Sequence, residues 1–144
     1  MLTTRRTILA LFATSVAGFG AAVAADLPLA IKGYDPVAYF TRQRATPGDA
    51  RHELTWDEYR WHFSSVQNRD LFKADPVRYA PQFANFCAVA LARGEVLAAN
   101  PEYWLISDGK LYLFGKPAGP ELFRRDLAGG IEKANRNRSL IRPQ

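Results

Sequence analysis

From Tyr59 onward, Tyr59, Trp61 and Phe63 alternate with Arg60, His62 and Ser64. A strand over residues 59–64 therefore puts three aromatic side chains on one face and three polar ones on the other. A second short run, residues 52–56, precedes it, and Asp57-Glu58 between the two predicts an antiparallel hairpin. The aromatic face is the core face, and the polar face is either solvent or a site.

The period then lengthens. Ser64 or Ser65 caps a helix to about Ala74, which Asp75-Pro76 stops before a short helical turn through Tyr79. Phe83, Phe86, Cys87, Ala90 and Leu91 recur at helical spacing, which predicts a helix over residues 81–92 ending near Gly94. Strands over residues 103–106 and 110–114 flank Ser107-Asp108-Gly109, a hairpin turn whose glycine suits a positive φ. Gly119-Pro120 opens a helix through Arg125, and a last helix covers residues 130–137. Upstream, Gly33 to Phe40 reads as a tight turn into a short helix, with Asp35 as cap and Pro36 at the first helical position. Thr46-Pro47-Gly48-Asp49 is a loop.

These elements predict a small α+β domain of β-hairpins packed with short helices. His62-Phe63 followed by Asp70-Leu71-Phe72-Lys73-Ala74-Asp75 is echoed by Leu113-Phe114 followed by Glu121-Leu122-Phe123-Arg124-Arg125-Asp126. The echo suggests two related strand–helix halves, the second lacking the His and Ser of the first.

The N-terminus has a different character. A basic start through Arg6 leads into an uncharged stretch of Ala, Val, Leu and Phe ending in Ala22-Val23-Ala24-Ala25. Residues 1 to about 25 read as a removable export signal, with an uncleaved anchor as the alternative; the stretch is weakly apolar for a spanning helix. Thr4-Arg5-Arg6-Thr7-Ile8-Leu9 resembles a twin-arginine signal, which carries folded cargo to the periplasm. Residues 26–144 are then one domain by size. Export makes nucleic acid an unsuitable partner and leaves the uncleaved leader as the sole membrane contact.

The chain carries a formal charge of +5, and two of its 19 Lys and Arg lie in the leader, leaving 17 against 14 acidic residues. The surplus gathers in the tail, at Lys133, Arg136, Arg138 and Arg142, and reads as a solvated end. Cys87 is the single cysteine, so the fold rests on its core without an intramolecular disulfide.

Gly33-Tyr34-Asp35-Pro36-Val37-Ala38-Tyr39-Phe40, Tyr59-Arg60-Trp61-His62-Phe63-Ser64-Ser65, Asn68-Arg69, Ala74-Asp75-Pro76, Tyr79-Ala80-Pro81-Gln82 and Asp108-Gly109-Lys110-Leu111-Tyr112 together resemble a YHS domain protein of the exported bacterial branch. The resemblance spans nearly all of residues 26–144. It implies a small module for which binding of a transition metal, copper or zinc, is the activity usually proposed. The metal-linked versions carry cysteines at three positions that fall here on Ala38, Ser64 and Asn68. None of these supplies the thiolate that Cu(I) favours.

Three side chains remain as candidate metal ligands: His62, Cys87 and Asp35. Each has a bland reading beside the functional one. Cys87 is a small buried hydrophobe, or else a metal ligand, redox thiol or intermolecular disulfide. His62 is a hydrogen-bonded surface histidine or one member of a cavity, and His52 could join it from the neighbouring strand. Asp35 is a helix cap or a ligand. Tyr34, Tyr39 and Trp61 read as packing, with aromatic walls around His62 as the natural lining of any pocket. No nucleophile elbow, phosphate loop, paired-carboxylate or metalloprotease motif is present. The sequence thus points to a periplasmic binding protein more than to an enzyme, its partner a metal ion or, on the alternative reading, a small ligand or another protein of an exported complex.

Overall fold

The computed structural model describes residues 27–141. The segment read as an export signal, with its twin arginines, and Arg142 of the tail lie outside the described residues. Within them the chain forms an α+β fold of six short helices and two separate two-stranded antiparallel sheets.

The first sheet pairs β1 (Asp49–Trp56) with β2 (Tyr59–Phe63), joined at Asp57-Glu58 as the alternation predicts. Tyr59, Trp61 and Phe63 are buried, while Arg60 and His62 are partly exposed. Helix α1 (Ala38–Thr41) precedes the hairpin, and α2 (Val66–Ala74) and α3 (Pro76–Tyr79) follow it. Ser65 caps α2 by accepting from the Asn68 N–H, and Asp75 caps α3 by accepting from the Arg78 N–H. The second sheet pairs β3 (Asn100–Ser107) with β4 (Lys110–Phe114). It is preceded by α4 (Ala88–Ala92) and followed by α5 (Gly119–Arg125) and α6 (Leu127–Arg136), with a 3-10 turn over Arg138–Ile141 closing the described chain.

Three expected elements are different: α1 begins at Ala38 rather than at Pro36, α6 begins at Leu127 rather than at residue 130 because Asp126 caps it, and the helix expected over residues 81–92 is cut short. Residues 81–87 are not helical; α4 begins only at Ala88. Phe86 instead bridges Ala98, the Cys87 N–H donates to Leu97 O, and the Ala99 N–H donates to Asn85 O. The apolar spacing of Phe83, Phe86 and Cys87 comes from an extended segment pairing with the approach to β3, which takes the Cys87 N–H and the Asn85 carbonyl that a helix would need.

This pairing exposes the internal symmetry of the chain. Tyr34 bridges Pro47 just as Phe86 bridges Ala98. Gly48 N–H to Gly33 O and Asp35 N–H to Thr46 O match Ala99 N–H to Asn85 O and Cys87 N–H to Leu97 O, all four at 2.8 Å. Both hairpins carry a bulge at the same place, between Asp49 and Glu53 and between Asn100 and Trp104. Asp75 and Asp126 each end one helix and cap the next with nearly the same backbone angles, φ −150° and −142°. The echo seen in the sequence is a structural repeat, with Asp35 of the first half standing where Cys87 stands in the second.

The core has two clusters. Phe63, Phe72, Trp61, Tyr39 and Val37 lead the first; Phe83, Leu91, Tyr112, Phe114 and Phe123 lead the second. Strand β4 is the shared wall: Leu111 and Leu113 enter the first cluster, Tyr112 and Phe114 the second. Tyr39 also crosses between halves, donating its hydroxyl to Pro101 O and meeting Trp104 edge-on at 5.4 Å.

Gly48 is fixed by this geometry. A β-carbon there would lie 2.6 Å from the His62 carbonyl carbon and 2.7 Å from its oxygen, both backbone atoms that cannot rotate away. Gly48→Ala is expected to cost about 2 kcal/mol by forcing the loop off β2. Urea denaturation measures it, and a variant as stable as the parent would refute the close approach.

Of the tail cations, Lys133 faces Asp126 at 3.8 Å, Arg136 pairs with Glu132, and Arg138 lies over the Phe83 ring at 4.9 Å. Lys133 and Arg136 are thus solvent-facing and paired along α6, while Arg138 alone reaches back to the domain, at Phe83 and Gln82 O.

Candidate functional site

Asp35 is fully buried and takes five hydrogen bonds. Its Oδ1 accepts from the Val37 and Ala38 N–H groups, so it holds the turn that leads into α1, although the N-cap residue of that helix is Val37 and Pro36 stays in the turn. Its Oδ2 accepts from the Ser64 N–H at 2.8 Å, the Ser64 hydroxyl at 2.6 Å and the Asn68 side-chain amide at 2.7 Å. One carboxylate thus ties the first turn, the end of β2 and the first turn of α2 together. Among the described residues no buried side-chain N or O lacks a partner.

The second half omits the whole arrangement at once. Its counterparts to Asp35, Ser64 and Asn68 are Cys87, Gly115 and Gly119. Cys87 is 4% exposed and packs in the second apolar cluster. A buried carboxylate there would have no side-chain donors to satisfy it, so a small apolar thiol is the residue that fits. Its burial among apolar side chains suits an inert structural cysteine rather than a reactive one.

His62 points elsewhere. Its Nε2 lies 2.9 Å from Glu53 Oε2, and the same oxygen is 3.3 Å from Arg60. This cross-strand trio fills the polar face of the hairpin and accounts for His62 as a hydrogen-bonded, partly covered histidine. His52 falls within the β1 bulge, between the paired residues Asp49 and Glu53.

His62, Cys87 and Asp35, the candidate ligands, thus each have their own surroundings: Glu53, the second apolar cluster, and Ser64 with Asn68. Among the described residues no group of three or more His, Cys, Asp or Glu side chains is placed to hold a metal ion. Ala38, Ser64 and Asn68, the positions to which the resemblance points for ligands, do gather in space, but around Asp35. There they present N–H and O–H groups to a carboxylate, where a cation needs lone pairs from three or four ligands. These residues do not fit a copper or zinc centre.

A concave site lies on the aromatic side of the first hairpin instead. A cleft of about 410 Å³ is lined by Trp56, Tyr59 and Trp61, by Val77 and Ala80 to Gln82 opposite, and by Arg138 and Ile141 at one end. Trp61 forms the buried floor, its indole N–H donating to Trp56 O at 2.9 Å, and Trp56 beside it is partly buried. Val77 on the facing lip is 71% exposed. Burial pushes the Tyr59 hydroxyl above its usual range, and the carboxylates of Asp57 and Glu58 push it further the same way. The pocket expected around His62 is thus on the opposite face of the strand. Sequence reasoning missed Trp56, Val77 and Arg138 as its lining, because the elements that carry them meet only through tertiary packing.

No family model, curated protein or solved structure matches this chain.

Proposed function

We propose that this chain is an exported YHS-type binding module whose ligand is a small organic molecule held in the aromatic cleft, with no metal centre. The observation that supports it is the cleft itself: about 410 Å³, walled by Trp56, Tyr59 and Trp61 and edged by the polar groups of Asp57, Glu58, Gln82 and Arg138. That combination of apolar wall and few polar groups is the usual make-up of a small-ligand site. The Asp35 cluster takes a structural role in this reading, fixing the segment that metal-linked relatives would use for ligands. The leader supplies the address and takes no part in binding.

Protein-observed NMR with a panel of small ring compounds tests the reading. Shifts confined to the Trp56 indole, Tyr59 and Ala80 to Ala84 are expected, while zinc and copper leave the spectrum and the thermal midpoint unchanged. A panel that moves none of these resonances would overturn it. So would stoichiometric metal on purified protein that is lost in His62→Ala or Cys87→Ser.

A further inference from the structure

Resting on that reading of the cleft, we infer that its ligand class is an organic cation: an ammonium or guanidinium group attached to an apolar or aromatic body.

The two hairpin turns carry the comparison that points there. Asp57 and Glu58 both have positive φ, 47° and 64°, and so do their counterparts in the second half, Asp108 at 48° and Gly109 at 67°. This is the primed turn that two-residue hairpins favour, and its second position suits glycine. The second half has that glycine. The first half keeps Glu58 there, in a conformation that disfavours a long side chain. The difference also sets the charge at the cleft mouth: Glu58 and Asp57 edge it, and neither is in an ion pair among the described residues.

The one cation of the lining does not neutralise them. Arg138 is already committed: its guanidinium donates to Gln82 O and to Asn135 Oδ1, both at 2.9 Å, and lies over Phe83. The cleft therefore offers two unpaired carboxylates beside Trp56, Tyr59 and Trp61. Indole is the best of the aromatic side chains for a cation, and burying an apolar body against it adds to the attraction. A neutral ring compound gains only the apolar part, and an anion meets Asp57 and Glu58 directly.

Three probes of similar size separate the outcomes in calorimetric titrations of the purified protein: benzyltrimethylammonium, benzyl alcohol and benzoate. The cation is expected to bind roughly tenfold more tightly than the alcohol, with the advantage shrinking as salt is raised. In the double variant Asp57→Asn, Glu58→Gln the cation should lose that advantage; asparagine tolerates positive φ, and matched circular dichroism confirms that the hairpin is kept. Equal binding of cation and alcohol would overturn the ligand class and leave the cleft reading standing. Preference for benzoate would overturn it too and make Arg138 the selecting group. Binding of none of the three would count against both the cation and the cleft.

Discussion

Asp35→Ala is expected to lower the unfolding free energy by about 4 kcal/mol, which is a large share of the 5–15 kcal/mol typical of a domain. The side chain itself is small, so the lost volume is a minor part. The larger effect is that the Ser64 N–H, the Ser64 hydroxyl and the Asn68 amide lose their common acceptor while the surrounding core still keeps water out. Val37 and Ala38 lose their acceptor in the same step. Asp35→Asn should be nearly as damaging, because an amide turns one acceptor oxygen into a donor facing donors. Ser64→Ala, which removes one of the five bonds, should cost only about 1 kcal/mol. Urea denaturation followed by circular dichroism reads all three. If Asp35→Ala lost no more than Ser64→Ala, the carboxylate would not be the tie that the geometry makes it.

Phe72→Ala and Phe123→Ala are expected to cost about 4 kcal/mol each, and they occupy equivalent positions in the two halves. Phe72 is fully buried against the rings of Trp61, Phe63 and Trp56, at 4.9, 5.2 and 5.7 Å between centroids. Phe123 meets Tyr112 and Phe114, both at 5.4 Å. The cavities are in different clusters, yet β4 lines both. Each variant should therefore lower one common transition, with tryptophan fluorescence and far-ultraviolet circular dichroism falling together. Two separate transitions, one moved by each substitution, would show that the halves unfold independently.

Much of the fold was legible because its signals are local. Alternation at Tyr59 to Phe63, the caps at Ser65 and Asp75, and the glycine at 109 each act within a few residues, and each element formed where those signals put it. The segment from Pro81 to Cys87 misled because burial on both sides produces helix-like spacing without a helix; its partners, Leu97 and Ala98, lie beyond a further helix and turn. Asp35's hold on the turn before α1 was legible, since Val37 and Ala38 are its neighbours. Its bonds to Ser64 and Asn68 were not, because they cross 29 and 33 residues. His62, Cys87 and Asp35 share ligand chemistry, which a sequence displays, but not a place in the fold, which it does not: Asp35 and Cys87 occupy the same position in the two halves rather than two sides of one cavity. The cleft depends on the hairpin meeting the Val77 to Ala84 segment and the Arg138 turn, and no sequence period records that meeting.

Strand β4 has no solvent face over Leu111 to Phe114. A single half on its own would leave one side of this strand, or the cluster that needs it, open to water. The repeated unit is therefore not a portable module. Its counterpart β2 is buried on one face only, so the two halves share a plan but not a degree of exposure. The first half supplies cover that the second cannot do without, and the chain behaves as one closed body built from two unequal parts.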